Sequence, residues 1–583
     1  MHEFSVWAPF ANKMAVQIND KSYPMERSKR GWWRAGIDVP WGTDYGFLVD
    51  NDPAPYPDPR GLQQARGVHG PSRLYDQRAF HWSDHQWQGP PLTGGVVYEI
   101  HVGTFTQGGT FDSAIERLPY LADLGITHVE LMPIAEFPGD FGWGYDGVAL
   151  FAVTENYGGP DALKRFVDAC HQNNLAVVLD VVYNHFGPVG NYANKFGPYL
   201  TSNHRTPWGD AVNFEEGGSD EVRRFFCDNA LMWMRDYHID GLRLDAVHEY
   251  MDRSAIHFME QLSSEVDILS STLDRRLILI AESDLNDPRI VTPREAGGFG
   301  MDAQWSDDFH HSLFTILHAN QAGMGYYDDF GTMEDLAKSL KEAFVYDGIY
   351  SSYRHRKHGR PVQRLSAHHF LGFIQNHDQV GNRATGDRIE HIIGMRRSKV
   401  AAAVVLLAPF IPMLFQGEEY AADTPFQYFA HHDDPVLARA VSDGRKKDFA
   451  AFGWNPDEVP DPEKRETFER SKLDWNEIHQ GKHMEMLDWT KRLIRLRRCS
   501  PSLNDGDLSH IKIKFDEAKR WLLMTRGDVQ LVCNLGTESH RSANPDNLKL
   551  ILKSAEDVRM DGSDVLVPPD SVAILSSEAQ DGV

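Results

Sequence analysis

The chain has 583 residues, 41% hydrophobic and 25% charged, and its 84 acidic side chains outnumber 59 basic ones for a formal charge of -25. A prior of about 150 residues per domain predicts three or four domains, or fewer if one is a barrel of about 250 residues, and the composition excludes a disordered or fibrous chain as a global description. The acidic surplus repels a phosphate backbone and disfavours nucleic acid and acidic substrates as partners.

No run of about 18 apolar residues is present, and the start "MHEFSVWAPFANK" lacks a basic segment followed by an apolar one. Neither a membrane span nor a secretory signal is therefore expected, and the chain reads as cytoplasmic. Cys170, Cys227, Cys499 and Cys533 show no CxxC spacing and read as buried, reduced thiols.

In chain order, "EFSVWAPF", "KMAVQIND", "GWWRAGIDV" and "YGFLVDND" are short apolar runs separated by turn residues, the pattern of a small immunoglobulin-like or carbohydrate-binding β-sandwich over residues 1–90. The proline-rich "DPAPYPDPRG" cannot continue a ladder and leads out of it. From residue 94 the rhythm changes. Eight strand-length runs follow: 96–103, 127–134, 175–185, 241–247, 277–283, 301–306, 369–378 and 411–419. Helical segments lie between them, such as 111–125, with Ile115, Leu118 and Leu121 at three-residue steps, and 220–238, with Val222, Phe226, Ala230 and Met234 at four-residue steps. Strands apolar on both faces that alternate with helices predict a parallel (β/α)8 barrel over 91–500. Residues 420–480 read as loop, 486–500 as a last helix, and "IKIKF", "WLLMTRG", "VQLVCNL", "LKLILKS" and "VLVPPDSVAILSS" as strands of an antiparallel β domain over 501–583.

Barrels gather their chemistry at the C-terminal ends of strands. Here the third strand ends in Asn184 and His185, the fourth carries Arg243 and Asp245, the fifth ends in Glu282, and the seventh in His377 and Asp378. The loop after the second offers Trp143, Tyr145 and Asp146. Three carboxylates from three strands around one mouth are costly to hold together. Arg243 and Asp245, two apart, share a face, so the guanidinium is expected to lower the Asp245 pKa and keep it ionised as a nucleophile. Glu282, in the apolar "LILIAES", is expected to be raised toward the neutral acid. Carboxyls driven apart in this way suit glycoside hydrolysis, with Asp378 left to hold sugar hydroxyls and support the positive transition state. His185 and His377 are candidates for metal ligation or hydroxyl hydrogen bonding, and the missing third ligand favours the latter. Trp143, Tyr145, Trp208 and Trp305 are candidates for sugar stacking or for ordinary packing.

As a set, "DVVYNH", "GLRLDAVH", "LIAESD" and "QNHDQVGN" resemble, in order, the four signature regions of the α-amylase superfamily of glycoside hydrolases. The resemblance implies a retaining mechanism on α-glucans with Asp245 as nucleophile, Glu282 as general acid/base and Asp378 as transition-state stabiliser. His185, Arg243 and His377 would stand beside the cleaved bond. "FPGDFGWGYDG", "IAESDLNDPRIV", "AQWSDDFHHSLFTIL" and "FQGEEYAADTPFQYF" look like the maltooligosyltrehalose trehalohydrolase group, which releases trehalose from maltooligosyltrehalose made by a partner synthase. That likeness extends substrate contact to Leu244, Ala246, Val247 and His248. It adds Asp307, Asp308, Phe309, His310 and His311, then Gln379, Val380, Gly381 and Asn382, beside Trp143, Tyr145 and Asp146. Asn184 stands where many α-amylases bind calcium, but no carboxylate cluster accompanies it, so no metal or other cofactor is expected. The rival reading is a glucan branching enzyme; those usually carry a Glu-Glu pair, and here Ala281 precedes the acid. A carbohydrate-binding protein on a dead barrel is disfavoured because all three carboxylates are present.

Overall fold

The structure, a computed structural model, describes residues 1–318, 325–451 and 454–577. Its centre is a closed barrel of eight parallel strands, each hydrogen-bonded to the next in sequence. They are β1 (Val97–Ile100), β2 (His128–Leu131), β3 (Ala176–Val181), β4 (Gly241–Leu244), β5 (Ile278–Ala281), β6 (Ala303–Trp305), β7 (Phe370–Gly372) and β8 (Ile411–Phe415). All eight runs read from the sequence supply a strand, each shorter than its apolar run. Period-two alternation divides their side chains into two cores. Val97, Val178, Ile280, Trp305, Leu371 and Met413 pack inside the barrel. Tyr98, Val129, Leu179, Leu242 and Leu279 join the larger outer core under the helices.

Three sequence expectations need correction. Residues 111–125 form two helices, Phe111–Ile115 and Leu118–Leu124, with a proline in the first turn of the second, where its missing N–H costs no helical bond. Within 420–480 a long helix, Pro435–Ala451, and a short one, Arg465–Arg470, interrupt the loop; the weak amphipathic pattern of "PVLARAVSDGRKKDFAA" had hidden the first. Cys499 is exposed, while Cys170, Cys227 and Cys533 are buried thiols.

Before the barrel, one antiparallel sheet pairs His2–Trp7, Trp32–Ile37 and Glu26–Arg27, and a second pairs Lys21–Pro24, Met14–Ile18, Asp44–Val49 and Ser72–Arg73. After the barrel, Gly481–Cys499 is helical, and five- and three-stranded antiparallel sheets follow. "VLVPPDSVAILSS" splits into Asp564–Val567 and Ser571–Ser576 at its prolines, and 578–583 lie outside the described residues. Buried Arg497 and Arg526 both donate to Ala408 O, at 2.8 Å each, binding the last helix and the C-terminal sheet to the end of the Ile389–Leu407 helix.

The connector into the barrel is tied to its base by charge. His171 lies between Asp84 at 2.7 Å and Asp240 at 2.9 Å, and His238 and Arg275 complete the cluster. Burial alone would raise Asp84 and Asp240, but the histidines, with Arg275 at Asp240, hold both below the usual carboxylate range. Burial would lower His171, yet the attraction of Asp240 raises it. The depressed aspartates stabilise the fold above their unfolded pKa of about 3.9 and lose that contribution as pH falls; raised His171 stabilises it below about 6.5 and loses it as pH rises through the folded value. His171→Gln is therefore expected to cost about 3 kcal/mol, most between those limits. Urea midpoints measured across pH for the variant and the parent chain check this, and a pH-independent difference would refute it.

Candidate active site

A cleft of about 400 Å³ opens at the C-terminal end of the barrel, lined by Trp143, Tyr145, Asp146, His185, Asp245, Ala246, His248, Glu282, His377 and Asp378. Beneath it Arg243 is wholly buried. Its Nη1 reaches Asp180 Oδ2 at 2.5 Å and Asp245 Oδ1 at 2.9 Å, and its Nη2 lies 2.8 Å from Glu282 Oε2. The guanidinium carbon sits 4.1 Å from the centre of the Trp305 ring, a cation–π contact. One cation thus holds three carboxyls.

The chain around Asp245 is shaped to present it. β4 ends at Leu244, and Ala246 is left-handed, at φ 41° and ψ 53°, a strained turn for a residue with a Cβ. That turn aims the Ala246 N–H at Glu282 Oε2, 2.9 Å away. Asn184 Nδ2 donates to Asp245 Oδ2 at 2.7 Å and to its carbonyl at 3.0 Å, while Asn184 Oδ1 meets the His185 ring. Asn184 thereby serves the acid and the histidine. Among the described residues, no three His, Cys, Asp or Glu side chains stand together as metal ligands.

Burial raises the Asp245 carboxyl above the ordinary range, and Arg243 offsets it only in part. The spacing argument, which counted Arg243 and left out burial and Asp180, had the opposite direction. Burial also raises Glu282, again opposed by Arg243 and reinforced by Asp245. Asp378 accepts from Asn382 Nδ2 at 3.0 Å and lies 3.5 Å from His377 Nε2. Burial lowers His185 to about 4, so its ring is neutral; Trp208, half exposed at the rim, stacks on it with centroids 4.7 Å apart. Asp146 faces His432, whose pKa is lifted to about 9 chiefly by that carboxylate.

The consecutive stretches expected to touch substrate are divided by which face of the β4 end, the following turn and the helices Asp307–His318 and His377–Gly381 meets the cleft. Leu244 and Val247 are core. Phe309 packs on Phe410, His310 stacks on Phe314, and Asp308 accepts from the N–H groups of Val345 and Tyr346. Val380 is buried, and a Cβ on Gly381 would fall 2.0 Å from the Trp143 ring. These seven are supports rather than lining. Trp305 is likewise interior. Asp307 lies near enough to Glu282 for that charge to raise it further after burial, and His311 packs on Tyr327, which donates to Gln379 at 3.5 Å. Sequence reasoning missed Asp180, although a lone charge in the apolar "LAVVLDVV" was the signal already used for Arg243. It also missed the wall formed by Phe137, Phe141, Tyr428 and His431, for which no pattern speaks.

Residues 72–206 match the family model described as alpha amylase, catalytic domain. A malto-oligosyltrehalose trehalohydrolase of Rhizobium sp. (strain M-11) is 48% identical over 98% of this chain and 97% of its own length. The enzyme of that name from Saccharolobus solfataricus is 44% identical over 89% of this chain and 88% of its own. A crystal structure of an amylase-like protein from Salmonella typhimurium superposes with a TM-score of 0.90 at 36% identity, covering 98% of this chain and 97% of that one. With this barrel and this cleft, the chain belongs to the malto-oligosyltrehalose trehalohydrolase family, glycosidases of the α-amylase superfamily.

Proposed function

We propose that the chain hydrolyses the α-1,4 bond joining a maltooligosaccharide to a terminal α,α-1,1-linked trehalose unit. The observation that carries this reading is the clamping of Asp245 and Glu282 onto one guanidinium at the mouth of a barrel nearly half identical to a trehalohydrolase end to end. Carboxyls held on one fork suit the short spacing, about 5–5.5 Å, of retaining glycosidases. Glu282 gives its proton to the bridging oxygen while Asp245 attacks the anomeric carbon, so the C–O bond breaks, trehalose leaves and a glycosyl ester forms. Glu282, now ionised, takes a proton from water; the resulting hydroxyl displaces Asp245 and frees the maltooligosaccharide. Asp378, His185 and His377 hold sugar hydroxyls at the cleaved bond. The metabolic partner is a maltooligosyltrehalose synthase, which makes the substrate.

Incubation with maltooligosyltrehalose is expected to yield trehalose and the shortened chain, separable by chromatography. An iodine-stain shift on amylose with no trehalose released would instead identify a branching enzyme.

The pH profile follows from the two raised carboxyls. Activity needs Asp245 ionised and Glu282 protonated, so kcat/KM rises as pH climbs through the first and falls as it climbs through the second. Both limbs are expected above the ordinary carboxylate values of about 4. Glu282→Gln should abolish the falling limb. A bell centred below pH 4, or a falling limb unchanged in that variant, would contradict the assignment.

A further inference from the structure

The ring of His377 is held from behind by a residue outside the cleft. Glu99, on β1, is buried; its Oε1 lies 2.5 Å from His377 Nδ1, and its Oε2 accepts the His377 backbone N–H at 2.9 Å. An ionised Glu99 can only accept, so it takes the backbone N–H on Oε2 and, on Oε1, a proton carried by Nδ1. The other nitrogen, Nε2, stands 2.8 Å from the Tyr145 hydroxyl. That hydroxyl has one proton, which it gives to Asp180 Oδ2 at 2.5 Å. Its remaining neighbours must therefore donate to it, as Arg243 Nη1 does at 3.3 Å, and Nε2 must carry a proton as well. With Glu99 and Asp180 as carboxylates, hydrogen-bond accounting makes both ring nitrogens donors.

We propose that Glu99 is a positioning residue for the hydrolysis: it fixes the His377 ring and keeps it an imidazolium, so that Nε2–H, resting on the Tyr145 hydroxyl, turns to a sugar hydroxyl beside Asp378 when substrate enters. The inference deepens the proposed function and rests on it for the sugar contact, while the charge state of the ring stands on geometry. The neighbouring charges agree. Burial would lower His377, but Asp378 and Glu99 lift it to about 9. The other groups facing it are His101 just after β1, Glu130 on β2, Tyr145 after β2, Asp180 on β3 and Arg243 on β4. Glu130 is buried with neither oxygen hydrogen-bonded, and burial, then Glu99, raises its carboxyl well above the ordinary range. Glu99 is the carboxyl in hydrogen-bond contact with the ring on that side.

The isosteric Glu99→Gln keeps the shape and removes the charge. With maltooligosyltrehalose it is expected to lower kcat/KM about 10- to 100-fold, the loss of one charge-assisted hydrogen bond, and to impose a new fall with rising pH as His377 loses its proton near neutrality. In the 15N-histidine-labelled parent chain, the His377 signal, assigned by its loss in His377→Gln, should remain that of an imidazolium from pH 6 to 8; in Glu99→Gln it should titrate within that range. The double variant Glu99→Gln/His377→Gln should be no slower than His377→Gln, because Glu99 acts through the ring. A neutral ring in the parent chain at pH 7 overturns the proposal even if Glu99→Gln does not fold. So does full activity in Glu99→Gln, or a double variant showing the product of the two losses. Absence of trehalose release by the parent chain would instead remove the functional reading and leave the ring's charge state measurable.

Discussion

Asp245→Asn is expected to reduce kcat on maltooligosyltrehalose by about 10⁴-fold or more, roughly 5.5 kcal/mol of barrier, with substrate still bound. The amide cannot form the glycosyl ester, so the step itself is lost rather than slowed. The fold should survive at a modest cost. Asp245 accepts from Arg243 on one oxygen and from Asn184 on the other, and asparagine has one oxygen, so one donor is left facing an NH2; that mismatch is worth about 1–3 kcal/mol. Burst kinetics, steady-state rates and a urea melt of the same preparation separate these effects. Turnover within tenfold of the parent chain would remove Asp245 from the role of nucleophile.

The largest loss of stability is expected at Arg243. Arg243→Met preserves length and packing against Trp305 but strips from Asp180, Asp245 and Glu282 the guanidinium that pairs with all three. Removing one side of a buried ionic cluster typically costs about 3–5 kcal/mol, and here three carboxyls are exposed to one another. Their pKa values must rise further, so the variant should lose kcat as well as stability and recover part of its stability toward acid pH. Arg243→Lys distinguishes charge from shape. An ammonium can satisfy one or two of the three carboxyls but cannot span Asp180 and Glu282 from opposite ends of a fork. It should therefore recover most of the stability and little of the activity. Equal activity in the lysine variant and the parent chain would show that the fork geometry is dispensable.

Much of this was readable because the relevant residues break a local rule. Arg243 and Asp245 interrupt an apolar run, Glu282 follows an apolar strand directly, Asp378 closes the seventh run, and the eight runs alternate with helical periods. These violations cluster where function outweighs local propensity. Asp180 and Glu99 break the same rule, each as the penultimate residue of its strand, yet only the closed barrel reveals that they meet Arg243 and His377. Of the substrate contacts read as continuous stretches, Leu244, Val247 and His310 are buried outside the cleft lining, because a motif names neighbours along the chain and not the face each one turns to the cleft. The direction of the Asp245 shift was also misread, because a two-residue spacing specifies a neighbour but not the depth of burial. The helix Pro435–Ala451 went unseen for a related reason: it is largely solvent-facing, so few apolar positions mark its period.

The Arg243 cluster also bears on how the barrel assembles. Its partners come from β3, from the ends of β4 and β5, and from the ring of β6. A chain folded only through β4 would enclose a guanidinium without Glu282 or Trp305, and a fragment beginning at β5 would bring those groups to a wall without their cation. Neither half can be closed cheaply, so intermediates with a half-formed barrel are penalised by the charges that later make the reaction possible. Closure of the barrel and completion of the catalytic floor are therefore expected to be one cooperative event. Splitting the chain between β4 and β5 should give two pieces that gain structure only when mixed, and gain activity at the same moment.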